Sequence, residues 1–465
     1  MVSYFPRYFS MRAIVCYVVT LLLVSAIFLS FAMPFQFMLF GIVAVLIFFT
    51  YSQTLTMKWQ HFHTKTFIKK LFTTALAIRI VYVIFIYFYY VAMTGLPHMY
   101  YPGDELFYEY MGALWYKCGF FETVGLMRQH ASFSDRGYCW WLAFENFLLG
   151  TTRPLPSRII KCVIDAFSCV LMYNLAKRCF GESVGRITGV FCMLMPNMWY
   201  YCGLTLKETE MVFLTILFVE RASSAIQSSK ITIRNIFLPG LIILVMFTFR
   251  TALGAVLVAA LVAAIVLSSG KQMETWKKVV YCTVFGVWML LTVGTEIIQE
   301  TQELWEGRSE NQTAGYEWRS QTNSFAKYAS ASVFAPLIFT IPFSTLVAIP
   351  GQENQMMLNG GNFIKNILSG FTIFALITTL ITGEWRKYVL PIAVTCGYLL
   401  VLVFSNFAHS ERFHFPVLPF ELMFAAYGIT MMKNKHKRWY MMWIVGICVA
   451  NIAWSWIKLA GRGLV

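Results

Sequence analysis

The sequence predicts an all-α polytopic membrane protein with about 12–14 transmembrane helices. Of its 465 residues, 58% are hydrophobic and only 13% are charged, whereas soluble domains carry roughly 25% charged residues. Apolar runs near the length that crosses a bilayer recur along the chain. They lie at 12–32, 34–51, 71–95, 157–176, 187–203, 210–226, 235–249, 251–269, 279–297, 332–350, 362–382, 388–405, 415–431 and 440–460. This composition excludes an ordinary soluble protein, a disordered chain and a coiled coil.

Three of these stretches need separate interpretation. The stretch 235–269 is too long for one crossing and carries Arg250 midway, so we expect two helices. The run 332–350 contains Pro336 and Pro342, and proline interrupts helices, so this run either spans the membrane or is re-entrant. The loop charges considered next are consistent only if it does not cross. The stretch 12–51 is interpreted as a retained helical hairpin, since its first apolar run is too long for a signal peptide.

Basic residues in short loops orient a membrane protein, with the Lys/Arg-rich side in the cytoplasm. Such loops recur between alternate apolar runs. Their basic residues are Lys58, Lys65, Lys69, Lys70, Lys177, Arg178, Arg186, Arg221, Lys230, Arg234, Lys271, Lys277, Lys278, Arg386, Lys387, Lys433, Lys435, Lys437 and Arg438. This topology places the N-terminus in the cytoplasm and the long segments 96–156 and 298–331 outside. It also accounts for the net charge of +15 without nucleic-acid binding.

The outer segment 96–156 includes 136–150, which is predicted to be an amphipathic helix lying on the membrane surface. The chain is divided into an N-terminal hairpin with its cytoplasmic loop, a catalytic transmembrane module that includes this segment, and an outer loop 300–331 followed by a C-terminal transmembrane module. These units span 1–70, 71–299 and 300–465.

The first candidate site is the acidic motif that contains Asp104 and Glu105, directly after Pro102-Gly103. A turn followed by a helix is expected here, with Asp104 as its N-cap. The motif is interpreted either as a helix cap in an acidic turn or as a general base or divalent-metal site.

Two further polar motifs fall on the same side of the membrane. In the first, the aromatic residues Trp199, Tyr200 and Tyr201 are followed by Lys207 and Glu208. The aromatics are typical of a membrane interface. Lys207 is either a snorkelling cation or a contact to a lipid phosphate.

The second of these motifs contains Arg412 between His409 and His414. Arg412 at the beginning of a helix is suited to binding phosphate. The two histidines and Glu411 lack the fourth ligand and regular spacing of a metal site.

Charges within apolar runs are costly and often functional. Arg79, Asp165, Arg250 and Glu421 are of this kind, and Lys161 with Asp165 has the spacing of an i,i+4 pair. Arg158 and Lys161 lie at the outer start of a run, where they would face an anionic head group. Outer carboxylates, cations and aromatics together suit a lipid-phosphate donor, with a carboxylate activating the acceptor.

In this order, the motifs resemble those of the GT-C superfamily of integral-membrane glycosyltransferases, which includes protein O-mannosyltransferases and lipid A aminoarabinose transferases. The resemblance covers roughly 70–460. It rests on Leu-Ala-Ile-Arg79-Ile, Asp104-Glu105, the stretch 136–150 ending at Gly150, Tyr173-Asn-Leu-Ala-Lys-Arg-Cys-Phe-Gly181, Pro196, Lys207-Glu208, and Arg412-Phe413 with Pro416 and Pro419. The hairpin 12–51 and the lack of a large soluble C-terminal domain depart from the family.

The resemblance implies a GT-C-like fold and sugar transfer from a polyprenyl-phosphate donor at the outer face of the plasma (inner) membrane. The acceptor would be a lipid, a glycan or a protein, and a divalent cation, Mg²⁺ or Mn²⁺, is often required. By position, Asp104 and Glu105 correspond to catalytic or metal-binding carboxylates. The donor phosphate would contact Lys207, Arg412, Arg158 and Lys161, and the sugar or lipid would contact Tyr108, Trp199, Tyr200, Tyr201, Glu208, His409 and His414.

Other functions remain open at this point. A polysaccharide polymerase or ligase also uses polyprenyl-linked substrates, but such enzymes place cations in a late outer loop, and 298–331 mixes both signs. A lipid-linked-sugar transporter would favour internal repeats and a midplane site, and the sequence shows neither. A non-catalytic membrane scaffold is the remaining alternative.

Overall fold

The computed structural model describes residues 3–227, 233–267, 337–404 and 408–464. These residues form a bundle of α-helices, and Ala32 with Val347 forms an isolated β-bridge. A helix satisfies its own backbone hydrogen bonds, which is why apolar spans adopt it.

The helices are numbered here in chain order. They are α1 (Arg7–Ile27), α2 (Phe35–Trp59), α3 (Thr64–Thr94), α4 (Gly103–Cys118), α5 (Phe120–His130), α6 (Phe133–Leu149), α7 (Pro154–Phe180), α8 (Glu182–Leu194), α9 (Pro196–Cys202), α10 (Glu208–Gln227), α11 (Ile233–Phe249), α12 (Thr251–Leu267), α13 (Glu353–Met357), α14 (Asn359–Ile381), α15 (Val389–Phe404), α16 (Glu411–His414), α17 (Leu418–Met431) and α18 (Lys437–Ala460).

Within the described ranges, six helices are long and apolar enough to cross a membrane, namely α1, α2, α3, α7, α14 and α18. Shorter apolar helices include α12 and α15. The predicted fold class, an all-α polytopic membrane protein, is confirmed.

The long apolar stretch 235–269 is divided as predicted. Helix α11 ends at Phe249 and α12 begins at Thr251, so Arg250 occupies the break between two antiparallel, packed helices. The break therefore delivers a cation to one end of the bundle.

The described part of the proline-containing run, 337–350, forms no spanning helix. Its irregular backbone is buried and bonded to side chains from the bundle. The Asn366 amide donates to the carbonyls of Thr340 and Pro342 (3.0 Å for Pro342), and the Asn451 side-chain oxygen accepts from the Ser344 amide at 2.9 Å. Irregular backbone is tolerated at membrane depth when protein surrounds it.

Residues 95–153, called the cap segment, contain α4, α5 and α6 and connect α3 to α7. The predicted amphipathic helix 136–150 corresponds to α6. One of its faces buries Tyr138 and Leu142, whereas Phe147 and Leu148 on the other face are exposed. The placement of α6 on a membrane surface remains a prediction.

The cap segment defines one end of the bundle, here called the cap end. Arg158 near the start of α7 donates to the carbonyl of Pro97 at 2.7 Å, and Asn354 on α13 donates to that of Tyr100 at 2.7 Å. The beginnings of α10 and α16 meet the same region through Glu208 and Arg412, as does Arg250.

Many of the basic residues used to orient the chain gather at the opposite end. Arg186 donates to the carbonyls of Trp59 and Phe62, and Arg178 pairs with Glu220 at 2.6 Å. The N-terminal hairpin, α1 and α2, packs against α8, α14 and α18. The predicted domain boundaries remain a prediction, and the predicted span 279–297 and outer segment 298–331 lie outside the described residues.

Candidate functional site

A cluster of charged residues from distant parts of the sequence meets at the cap end. Arg412 on α16 donates one hydrogen bond to Asp104 on α4 and another to Glu208 at the start of α10. The Asp104 side chain is 56% exposed and that of Arg412 is 22% exposed, whereas Glu208 is fully buried. An accessible carboxylate is thereby held beside a guanidinium. Together with Asp135, Lys207 and Arg250, these residues are called the ion-pair cluster.

Arg250 brings a second guanidinium to the cluster from the α11–α12 break. Its Nη2 lies 3.8 Å from Oε1 of Glu208, and its guanidinium carbon lies 4.5 Å from the ring centroid of Phe413. The phenol of Tyr398 bonds it at 3.2 Å. The second carboxylate oxygen of Glu208 has no hydrogen-bond partner among the described residues, so the cluster keeps acceptor capacity in its buried part.

Lys207 forms the other side of the cluster with Asp135. Its ammonium donates to Asp135 and to the Ser134 carbonyl (2.8 Å), and the Tyr108 hydroxyl donates to Asp135 at 2.6 Å. Burial alone would raise the pKa of Asp135, but Lys207 and the hydrogen bonds from Tyr108 and Ser132 hold that pKa below its usual range. Burial lowers the pKa of Lys207. Tyr108 therefore acts here as a hydrogen-bond donor to a carboxylate.

Glu105 points away from the cluster, although it follows Asp104 directly. It is fully buried, and its two oxygens accept from the backbone amides of Thr205 (2.6 Å) and Met99 (2.8 Å). Arg158, also fully buried, lies 3.2 Å away. These bonds tie the cap segment to the loop after α9.

The structure does not bring Asp104 and Glu105 together as a pair of metal ligands. Consecutive helical residues point about 100° apart, and the partners of the two carboxylates lie on different elements. Over the described ranges, no group of three or more His, Cys, Asp or Glu side chains could hold a metal ion. A requirement for Mg²⁺ or Mn²⁺ stays a prediction from the resemblance.

Lys161 has a similar internal position to Arg158. It donates to the carbonyls of Leu204 (3.1 Å) and Leu206 and lies 3.4 Å from Glu210. The predicted i,i+4 pair with Asp165 is wrong. Asp165 instead pairs with Arg79 on α3, because both side chains are buried between α3, α7 and α8.

The aromatic residues predicted to face a membrane interface are internal. Helix α9 is buried, with Trp199 7%, Tyr200 3% and Tyr201 2% exposed. The Trp199 indole donates to the Met193 carbonyl at 2.8 Å, and the Tyr201 ring packs 4.4 Å from that of Phe415. The interfacial interpretation is therefore wrong for these residues, because α9 packs inside the bundle.

The two histidines near Arg412 are also buried. The His409 ring stacks on Trp454 at 5.1 Å. The His414 ring bonds Lys365 at 2.8 Å and the Ala408 carbonyl at 2.7 Å. The predicted role of both histidines in sugar or lipid binding stays a prediction.

Glu109 is a titratable group that the sequence interpretation did not single out. It accepts from the Thr205 hydroxyl at 2.8 Å and lies 3.4 Å from Nε2 of His98. Burial raises the pKa of Glu109 to about 7, against the opposing effects of Thr205 and Arg158. Only the packing of α4 against the Thr205 loop reveals this environment.

The raised pKa of Glu109 predicts a pH-dependent stability. The folded protein keeps a proton that the unfolded chain releases near pH 4.5, so stability falls as pH rises from about 4.5 to 7. Over this range the wild type should lose on the order of 3 kcal/mol of its free energy of unfolding, and Glu109→Gln should not show this loss. Thermal unfolding in detergent between pH 5 and 8 measures how the stability of each protein depends on pH. The same pH dependence in the variant and the wild type would refute the assignment.

The sequence model of the Alg9-like mannosyltransferase family matches residues 357–459. The matched region holds α14 to α17 and nearly all of α18, and it includes Arg412. Comparisons with curated proteins and with solved structures found no match.

Proposed function

We propose that this chain, a membrane glycosyltransferase of the GT-C superfamily, transfers a mannosyl group from a polyprenyl-phosphate donor to a hydroxyl acceptor at the ion-pair cluster. The family match confirms the resemblance and the enzyme class predicted from the sequence. The choice of mannose rests on the name of the matching family. The acceptor is a lipid, a glycan or a protein.

The observation that carries this proposal is the exposed carboxylate of Asp104 beside the guanidinium of Arg412. A carboxylate that solvent reaches can take the proton of an acceptor hydroxyl. The hydroxyl oxygen then bonds to the anomeric carbon as the bond from that carbon to the phosphate oxygen breaks. The bonding electrons leave with the phosphate, whose growing negative charge is stabilised by nearby cations.

Arg412 and Arg250 are the cations best placed to bind that phosphate, with Lys207 behind them. A guanidinium binds phosphate oxygens in a bidentate manner and keeps its charge at any physiological pH. Arg412 already pairs with Asp104 and Glu208, so an incoming phosphate competes with Asp104 for it. Donor binding would thus release Asp104 to act as the base.

In this proposal Glu105, Arg158 and Lys161 take no part in sugar transfer. Glu105 and Arg158 pair with each other and bond the backbone, and Lys161 is held by the backbone and by Glu210. We therefore assign them to holding the cap segment on the bundle rather than to the substrate.

We place the cap end on the outer face of the membrane and the N-terminus in the cytoplasm. The supporting observation is that Arg178, Arg186 and other basic residues gather at the opposite end, as the positive-inside rule requires of a cytoplasmic side. The outer face is also the side of the membrane on which the resemblance places sugar transfer from a polyprenyl-phosphate donor.

The native thiol of Cys118 tests this orientation, because it is exposed in the cap segment. A membrane-impermeant maleimide added to intact cells is expected to label the wild type at this position. Cys118→Ser is the matched control and should lose that label. Labelling that requires permeabilised cells would place the cap end in the cytoplasm and contradict the assignment.

Arg412→Lys tests the donor site, since it keeps the charge and removes the bidentate geometry. We expect the KM for polyprenyl-phosphate-mannose to rise about tenfold, equivalent to about 1.4 kcal/mol of binding. Initial rates of mannosyl transfer in isolated membranes measure this change.

Arg386→Lys is the matched control at the opposite end of the bundle, where the same substitution should leave the donor KM unchanged. An unchanged donor KM in Arg412→Lys would remove Arg412 from the site. Equal changes in both variants would show a general effect of the substitution.

A further inference from the structure

We propose that Lys365 and His414 are positioning residues that hold Arg412 in the ion-pair cluster, through buried polar contacts that run from Glu421 to Lys365, to His414 and to the Ala408 carbonyl. The inference rests on the proposed function, in which Arg412 binds the donor phosphate. Neither Lys365 nor its contact with His414 was predicted from the sequence.

Arg412 lies on α16, a single helical turn that ends at His414. One turn has little stability of its own, so its position depends on contacts outside it. Residues two apart on a helix point about 200° apart. His414 accordingly faces inward while Arg412 reaches Asp104 and Glu208.

The His414 ring is held on both nitrogens. Nδ1 lies 2.8 Å from Nζ of Lys365, and Nε2 lies 2.7 Å from the Ala408 carbonyl oxygen. The ammonium of Lys365 only donates, so Nδ1 accepts and Nε2 carries the ring proton that it donates to Ala408. This arrangement fixes one neutral tautomer and bridges the segment 408–414 that carries Arg412.

Lys365 is in turn held by two further elements. It donates to the carbonyl of Ile341 at 2.7 Å, in the non-helical segment, and lies 3.5 Å from Oε2 of Glu421 on α17. It is 4% exposed and His414 is 2% exposed. A buried lysine with these partners is expensive to maintain, and its placement beside His414 links α14 and α17 to the position of Arg412.

The charged and titratable groups around His414 are Lys365 from α14, Glu421 beyond it on α17, His409 from the preceding turn and Arg412 on its own helix. Burial and the nearby ammonium of Lys365 hold the pKa of His414 well below its usual range. Both causes keep the ring neutral, so Nδ1 stays available to accept from Lys365.

The test is the double variant Lys365→Met/Glu421→Leu, which removes both charges of the buried pair. It also takes the donor away from Nδ1 of His414 and from the Ile341 carbonyl. We expect the KM for polyprenyl-phosphate-mannose to rise about tenfold with a smaller change in kcat, since Arg412 is displaced from the phosphate site.

Asn366→Ala is the matched control. Asn366 adjoins Lys365 and bonds the same non-helical segment through Thr340 and Pro342, but its side chain is not bonded to His414. An equal rise in donor KM in Asn366→Ala would show a general loosening of this region and overturn the proposal. So would an unchanged donor KM in the double variant.

A second variant, His414→Asn, tests the same proposal if the double variant does not fold. His414→Asn can keep an acceptor for Lys365 and loses the bond to Ala408, so it should raise the donor KM in the same direction. No effect of Arg412→Lys on the donor KM would refute the donor site itself. An effect of Arg412→Lys without any effect of His414→Asn refutes only the positioning role.

Discussion

Replacing Asp104 by asparagine is expected to lower the kcat of mannosyl transfer by about 10²–10⁴-fold, the usual contribution of a general base. Asparagine keeps the size and a hydrogen-bond acceptor but takes up no proton. Initial rates at saturating polyprenyl-phosphate-mannose measure the effect. The thermal midpoint should change little, because the ion pair of this half-exposed side chain contributes at most about 1 kcal/mol.

The matched control for this prediction is Glu122→Gln. Glu122 is an exposed carboxylate in the first turn of α5, in the same cap segment, and its substitution should leave kcat unchanged. A rate for Asp104→Asn within twofold of the wild type, at equal protein levels, would show that Asp104 is not the base.

The second large effect concerns stability rather than catalysis. Arg158→Met is expected to lower the free energy of unfolding by about 3–5 kcal/mol, because it leaves Glu105 buried without its cation. It also removes the hydrogen bond to Pro97 that holds the cap segment on α7, and the bond to Thr205 in the loop after α9. The thermal midpoint and the yield of folded protein in detergent measure the loss.

Arg153→Met provides the comparison, since Arg153 is exposed just before the first turn of α7. It should fold like the wild type. A normally folded Arg158→Met protein that has lost only transfer activity would contradict the structural assignment and return Arg158 to the candidate donor site.

Much of the fold could be predicted because its elements depend on local composition. A run of about 20 apolar residues has few stable structures in a bilayer other than a helix. Arg250 marked the division of 235–269 into α11 and α12, and the prolines of 332–350 marked a stretch whose described part is not helical. These signals lie within a few residues of the feature they predict.

The candidate site was predicted in part. Asp104, Lys207, Glu208 and Arg412 were selected because each lies between apolar runs on one predicted side, and the structure brings them into one cluster. Asp135 and Arg250 were not selected as site residues. Their partners lie far away in sequence, so only the packing of α6, α10 and α11 reveals their contribution.

Other assignments depended on the direction in which a side chain points, which spacing alone does not give. Asp104 and Glu105 are neighbours in sequence, yet one faces Arg412 and the other the backbone of the Thr205 loop. Trp199 is of a residue type that is common at membrane interfaces, but it is buried on a helix that other helices surround. In both cases tertiary packing decided the environment.

The most direct test of the central claim is transfer from a radiolabelled polyprenyl-phosphate-mannose donor in membranes that contain the protein. Loss of label from the donor, release of polyprenyl phosphate and gain of label by membrane acceptors are measured together. We expect the wild type and Glu122→Gln to form both products at equal rates, and Asp104→Asn to form them at least about 100-fold more slowly. No transfer by the wild type, or equal transfer by Asp104→Asn, would contradict the account.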